Sequence, residues 1–428
     1  MKRFISKRER NLKYMKKNAF WNTISGILDA GQSAIILIFI SRFLPINEAG
    51  VFSISYALAN IVFMIARYGV RNYQVTDNKA EEKFRNYLFL RFVTIFISVL
   101  FIGTYLFFMY MRHQYDMHKV IIVFVMACYK MVDAFEDVFL GLYQQKGRLD
   151  IAGKVFAARV FSSTIVLCGA IVITKDLVIS VVAAFLSGVL MEIILLRKTY
   201  PSFHISSEKL CKEEFFFLFK QCFPLCIGAV LAVYVSNLPK YMIDWYLNEK
   251  IQAIFGYLMM PAFCITLLSR FIFQPYIKQI GDQWNNKEFS QLKKFTLILT
   301  GIISVITLTV IVGGLLIGLP ILSWLYHTDL MGYSMELFYL FLGTGLYTIS
   351  CFFVVILTAM RKQNLIAAGY IAASITAFFI SPYLAAKYGM RGACGLYIII
   401  NLFLSLLFFI PLWKNLCGTE AKKEGMNL

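Results

Sequence analysis

Four ionisable residues, Lys130, Asp133, Glu136 and Asp137, interrupt an otherwise apolar run over 119–142. Separations of three and four put Lys130, Asp133 and Asp137 on one stripe if the run is helical. Arg159 stands in the next apolar run, and counting about 1.5 Å per residue sets it level with Asp133, so the two can pair directly. Two readings follow. The charges form a wall that binds an anionic head group or a coupling ion, or they form a self-neutralised network that ties two helices together. The residue types leave both open, because acids and bases here nearly cancel.

Other charges invite the same question. Asp29 sits in the middle of the first apolar run with Gly26 and Gly31 beside it, where a helix can bend, and no basic residue lies within a turn of it. It is a candidate for proton or cation coupling, or a buried acid paired to another helix. Arg67, Arg91, Arg270 and Lys294 fall near the ends of apolar runs. Guanidinium groups match phosphate through bidentate hydrogen bonds, so these four, with Lys130 and Arg159, are candidate ligands for a diphosphate head group. Arg67 and Arg270 are read as facing a cavity. Arg91 and Lys294 are read as snorkelling to lipid phosphate. Pro261 is placed inside a helix, where the missing N–H makes a kink and a candidate hinge; Pro224 and Pro275 are read as helix ends.

The elements that must hold these residues follow from composition. Of 428 residues, 59% are hydrophobic and 15% charged, more apolar surface than a soluble core of this length uses. A helix needs about 20 apolar residues to cross the hydrocarbon. Twelve segments approach that length: 19–43, 47–69, 85–110, 119–142, 150–174, 176–197, 215–238, 251–275, 293–318, 333–360, 364–386 and 390–413. The fold class expected is therefore all-α integral membrane, with about 12 transmembrane helices.

Most of the 42 Lys and Arg fall in alternate connections, which predicts that both termini lie in the cytoplasm. The net charge of +18 then answers to anionic lipid head groups rather than to nucleic acid. Residues 1–18 carry eight basic side chains, and the apolar run that follows is too long and too polar for a cleaved signal, so it is expected to stay as the first helix.

A shift of 203 residues brings Phe20, Ile24 and Leu28 onto Phe223, Ile227 and Leu231, Arg67 onto Arg270, and Arg91-Phe92 onto Lys294-Phe295. Such internal symmetry marks many transporters. It predicts a basic segment 1–18, an N-lobe over 19–197, a linker 198–214, a C-lobe over 215–413 and a tail 414–428. Two pseudo-symmetric six-helix lobes would enclose a central cavity. The nine cysteines lie mostly inside apolar runs and read as packing residues, and the four histidines form no ligand cluster. Neither a phosphate loop nor a nucleophile arrangement is present, and no paired carboxylates stand on an outside loop; no catalytic residue, metal or resident cofactor is expected.

Several stretches together resemble the polysaccharide flippases of the Wzx type, in the superfamily that also holds the multidrug and toxic compound extrusion transporters. They are Asn18 to Asn22 with Ser41 to Leu44 and Ala49 to Ser53, then Arg67 to Val75. Glu136 to Phe139 with Gln144 to Asp150 follows, and last Pro261-Ala262 with Gln274-Pro275. The resemblance implies two six-helix lobes around a cationic cavity. It implies a cargo of polyprenyl-diphosphate carrying an oligosaccharide, moved by alternating access in a bacterial plasma membrane. Coupling to protons, sodium or membrane potential, a monomeric state, contact with membrane lipids and work alongside other polysaccharide-assembly proteins are further expectations. A multidrug or toxin exporter of the same fold is the alternative, since fold does not decide cargo. A membrane glycosyltransferase or polymerase is a third, which short outside connections disfavour.

Overall fold

The computed structural model describes residues 2–76, 83–203, 212–273 and 276–424, with side chains described for 17–75, 83–201, 213–269, 272–273, 276–277 and 279–416. Among the described residues there is no strand. The helices are α1 (Lys2–Phe43), α2 (Ile46–Arg67), α3 (Val70–Thr76), α4 (Phe84–Met111), α5 (Met117–Gln145), α6 (Leu149–Thr174) and α7 (Leu177–Thr199). They continue with α8 (Lys212–Tyr246), α9 (Glu249–Phe273), α10 (Ile277–Asn285), α11 (Phe289–Gly313), α12 (Leu319–Tyr326), α13 (Ser334–Ala359) and α14 (Gln363–Glu424).

Ten of these stretches are long and apolar enough to cross a membrane. One of them is double, because α14 is broken at Gly389, whose φ of 52° and ψ of −126° are not helical. A further long helix, α5, carries the ionisable residues that lower its hydropathy. All twelve sequence-derived spans thus have a helical counterpart. The chain is a multi-pass membrane protein, and the large apolar side chains that remain exposed, such as Phe96, Phe107, Ile173, Leu316 and Phe379, are the surface such a protein offers to lipid.

Local chemistry sets the ends. Asp116 accepts from the backbone N–H of Lys119 at 2.9 Å, and Asp176 from that of Ile179 at 2.9 Å, so α5 and α7 begin on side-chain caps. The second span stops at Arg67 rather than 69, because Tyr68 adopts a left-handed conformation (φ 51°) followed by Gly69 (φ 70°). That turn starts the short helix α3, which apolar periodicity does not reveal. Gly69 is needed twice over, since a Cβ there would also stand 2.6 Å from Cβ of Leu225. A π-helical turn over Gly314–Gly318 joins α11 to α12, and Phe341 packs onto the bare face of Gly314.

The chain divides into two compact units, Met1–Val230 and Leu231–Leu428. In the first, α1 packs on α6, α2 on α5, and α7 on both α5 and α6. The helices α1 and α6 approach tightly at Gly153, where a Cβ would stand 2.7 Å from the backbone of Trp21. In the second unit, α13 packs against α14, α9 and α11. The expected linker 198–214 and tail 414–428 fall partly outside the described residues.

Pro224 does not end a helix. It lies inside α8, which starts at Lys212. The first turns of α8 are held in the first unit: Leu218 and Cys222 are buried, and Phe219 stacks on Tyr68 with centroids 4.9 Å apart. That packing offsets the hydrogen bond a helix loses at proline. Pro261 lies inside α9 as expected, and Pro275 falls outside the described residues.

Candidate functional site

The first unit concentrates its ionisable side chains where α2, α3, α4, α5, α6 and α7 converge. Two groups can be distinguished by their pairing.

The arginine-rich group is built on Asp137. Its Oδ1 receives Arg67 Nη2 at 3.1 Å and Arg71 Nη1 at 3.4 Å, and its Oδ2 receives Arg91 Nη2 at 2.8 Å. Arg91 has no exposed surface and also donates to the carbonyl of Ala66, the open C-terminal turn of α2. This corrects the snorkelling assignment. The carboxylate on α5 draws the guanidinium inward, where Asp137 and the Ala66 carbonyl accept from its two Nη atoms while its Nε is left without a partner among the described residues. Arg71 reaches Gln144 Oε1 from Nη2 at 2.8 Å. Its helix α3 lies close to α5 because Gly141 has no side chain in the way of Gln74 and Arg71. Arg67 is 31% exposed and Arg71 22%. Three guanidinium charges face one carboxylate, an excess of two positive charges, and the Nε and Nη1 of Arg67 have no acceptor among the described residues.

The acid-rich group is built on Arg159, which is fully buried. Its Nε donates to Glu136 Oε2 at 2.6 Å, its Nη1 lies 2.7 Å from Asp133 Oδ1, and Glu192 Oε2 stands 3.8 Å from its Nε. Lys130 donates to Asp133 Oδ2 at 2.8 Å, and its ammonium lies 5.0 Å from the centre of the Tyr56 ring. Asp133 and Arg159, level by residue count, do pair. Asp29 is exposed, and the cations within electrostatic range of it, Lys130, Arg159 and Arg67, stand on α5, α6 and α2 rather than on its own helix. With Asp29, four carboxylates face two cations.

Between Asp29 and Arg159 runs a neutral network. Gln32 donates from Nε2 to Tyr129 Oη at 2.7 Å and to Thr164 Oγ1 at 3.0 Å, and Tyr129 Oη shares a hydrogen bond of 2.7 Å with Ser163. Buried polar groups so satisfied hold α1, α5 and α6 in one register.

Arg67, Arg91, Lys130, Asp133, Glu136, Asp137 and Arg159 are therefore brought into one charged zone with Asp29 at its margin. Lys294 is an exposed residue of α11 in the second unit, and the Arg270 side chain lies outside the described residues. Sequence reasoning passed over Arg71, Glu192, Gln32 and Tyr129. Glu192 was within reach, as an acid in an apolar run; Arg71 looked like one basic residue of a connection until α3 placed it.

Comparison with known proteins fits this architecture. A family profile described as polysaccharide biosynthesis protein matches residues 15–281. None of the curated proteins matches the chain. Among solved structures, a multidrug resistance MATE family transporter of the MOP superfamily in an inward-facing conformation superposes with a TM-score of 0.61 at 15% identity, covering 95% of this chain and 96% of the other. The MATE multidrug transporter DinF-BH gives 0.64 at 14% identity, covering 94% and 96%. The Vibrio cholerae MATE transporter VcmN in its bent form gives 0.58 at 14% identity, covering 95% and 97%. At such identities the likeness speaks for the fold. The family match spans more than half of the chain, and the conclusion is that this multi-pass membrane protein, with twelve helical spans in a MATE-like fold, belongs to the polysaccharide biosynthesis protein family.

Proposed function

We propose that the chain is a flippase that carries a polyprenyl-diphosphate-linked oligosaccharide across a bacterial plasma membrane by alternating access, supplying units for capsule, exopolysaccharide or a related surface polymer. The observation that carries this reading is the excess of positive charge around Asp137, with Arg67 and Arg71 still accessible. A diphosphate brings the missing negative charge, and its oxygens accept the planar N–H pairs that Arg67 leaves open. Asp137 keeps the three arginines together while no anion is bound, and so lowers the repulsion that assembling them would cost. Membership of a family described by polysaccharide biosynthesis supports the same cargo. Cells lacking the protein should accumulate lipid-linked oligosaccharide on the cytoplasmic leaflet. Normal outward delivery in its absence would rule the reading out.

A second reading, a drug exporter of the same fold, is favoured by one observation: Asp29 is an exposed carboxylate on an apolar helix, a partner for an organic cation. It predicts that expression raises resistance to cationic dyes and that Asp29→Asn abolishes the gain. Unchanged resistance removes it.

A further inference from the structure

The acid-rich group holds more negative charge than its cations balance, and the imbalance is sharpest at Glu192. This residue is 3% exposed, sits on α7, and faces Arg159 across 3.8 Å. Both of its carboxylate oxygens are buried without a hydrogen-bond partner, and so is Oε1 of Glu136. Arg159 stands closer to two other carboxylates, its Nε donating to Glu136 at 2.6 Å and its Nη1 lying 2.7 Å from Asp133, while among the described residues neither Nη makes a hydrogen bond and neither reaches Glu192. Lys130, the other cation, is held by Asp133.

We propose that Glu192 and Glu136 form a proton-binding pair that holds one proton between them, with Arg159 as the shared positive charge. Two buried carboxylates that claim one guanidinium cannot both keep a full charge without a large desolvation cost. A proton on Glu192 removes that cost and needs no extra room. A metal cation would need several oxygen ligands and a place beside a guanidinium. Among the described residues no group of three or more His, Cys, Asp and Glu is arranged to hold one.

The groups that face Glu192 are all on the helices packed against α7. From α6 there is Arg159, and from α5 there are Asp133, Glu136 and Tyr143, whose hydroxyl is bonded to Thr199 at 2.7 Å. Lys130 acts through Asp133, and Tyr200, just beyond α7, lies near Tyr143. Loss of the proton makes Glu192 a full competitor for Nε of Arg159. The single guanidinium that joins α5 to α6 is then pulled toward α7, so protonation selects between two arrangements of these helices. The pair is independent of the cargo: it stands on geometry within the first unit, whichever molecule the protein carries.

The test is infrared difference spectroscopy of the full chain in lipid nanodiscs as pH is stepped upward. Wild type should show a protonated-carboxyl C=O band at neutral pH that moves on labelling with 13C-glutamate and is lost as pH rises. Glu192→Gln should lack it. Glu136→Gln, which leaves Arg159 freer for Glu192, should lose the band at a pH lower by about one unit, a tenfold change in proton concentration. Sodium added at constant pH should not change it. The labelled wild type answers the question even if a variant does not fold. A spectrum with no glutamate-derived band, a band that survives Glu192→Gln, a midpoint unmoved by Glu136→Gln, or a band displaced by sodium would each overturn the proposal.

Discussion

Arg91 and Asp137 meet at 2.8 Å, Nη2 to Oδ2, with the guanidinium wholly removed from the surface. The pair joins α4 to α5, and through the carbonyl of Ala66 it also holds the end of α2. Three helices thus depend on one carboxylate that serves two more arginines.

Removing that carboxylate leaves three cations to repel one another, one of them buried. Asp137→Ala is expected to cost about 3 kcal/mol or more of stability, read as a lowered thermal unfolding midpoint of the purified protein. Lys294→Ala, an exposed change on α11, should stay within about 0.5 kcal/mol of wild type. Equal midpoints for the two variants would contradict the network.

The Lys130–Asp133 pair should show its coupling in a double-mutant cycle. Lys130→Met and Asp133→Leu each strand a buried charge, whereas the double change strands only the part of Arg159 that Asp133 served. The double variant is expected to lose less than the sum of the singles, by about 1 kcal/mol or more. Additive losses would mean that the two groups do not interact.

Gly153 and Gly169 lie on the same helix and should respond in opposite ways. A Cβ at 153 would stand 2.7 Å from the backbone of Trp21, while nothing lies within 4 Å at 169. Gly153→Ala should destabilise by about 1–3 kcal/mol through overpacking. Gly169→Ala should be neutral or stabilising by up to about 1 kcal/mol. Thermal unfolding of both decides whether α1 and α6 approach as described.

Arg67 offers the open donors, so Arg67→Ala should lower delivery of lipid-linked oligosaccharide by about tenfold or more at equal expression, the loss of one charge-assisted hydrogen bond. Arg67→Lys should restore it only in part, because an ammonium lacks the planar pair of donors. Full activity in Arg67→Ala would detach this end of the site from the cargo.

Much of the fold was legible because bilayer-spanning helices are dictated by length and composition: each run of about 20 apolar residues had one stable outcome. The break at Gly389 falls between the expected spans 364–386 and 390–413, whereas the caps at Asp116 and Asp176 came only with the structure. The repeat also has a counterpart in helix lengths, since adding 203 to the bounds of α2 and α4 gives nearly those of α9 and α11. The helices α3 and α10 were missed because each is short and amphipathic, without the apolar length that marks a span.

Sequence by itself determined which residues had to be explained, because a charge in an apolar helix requires a partner wherever it lies. It also placed Asp133 level with Arg159. Only the tertiary structure decided the partners: that Arg91 turns inward to Asp137 instead of outward to lipid, that Arg71 joins it from α3, and that Glu192 competes with Glu136 for Arg159. Pairing across helices depends on their rotation and depth, which are set by contacts such as Gly153 on Trp21 and Gly141 on Gln74, and those contacts exist only once the helices have packed.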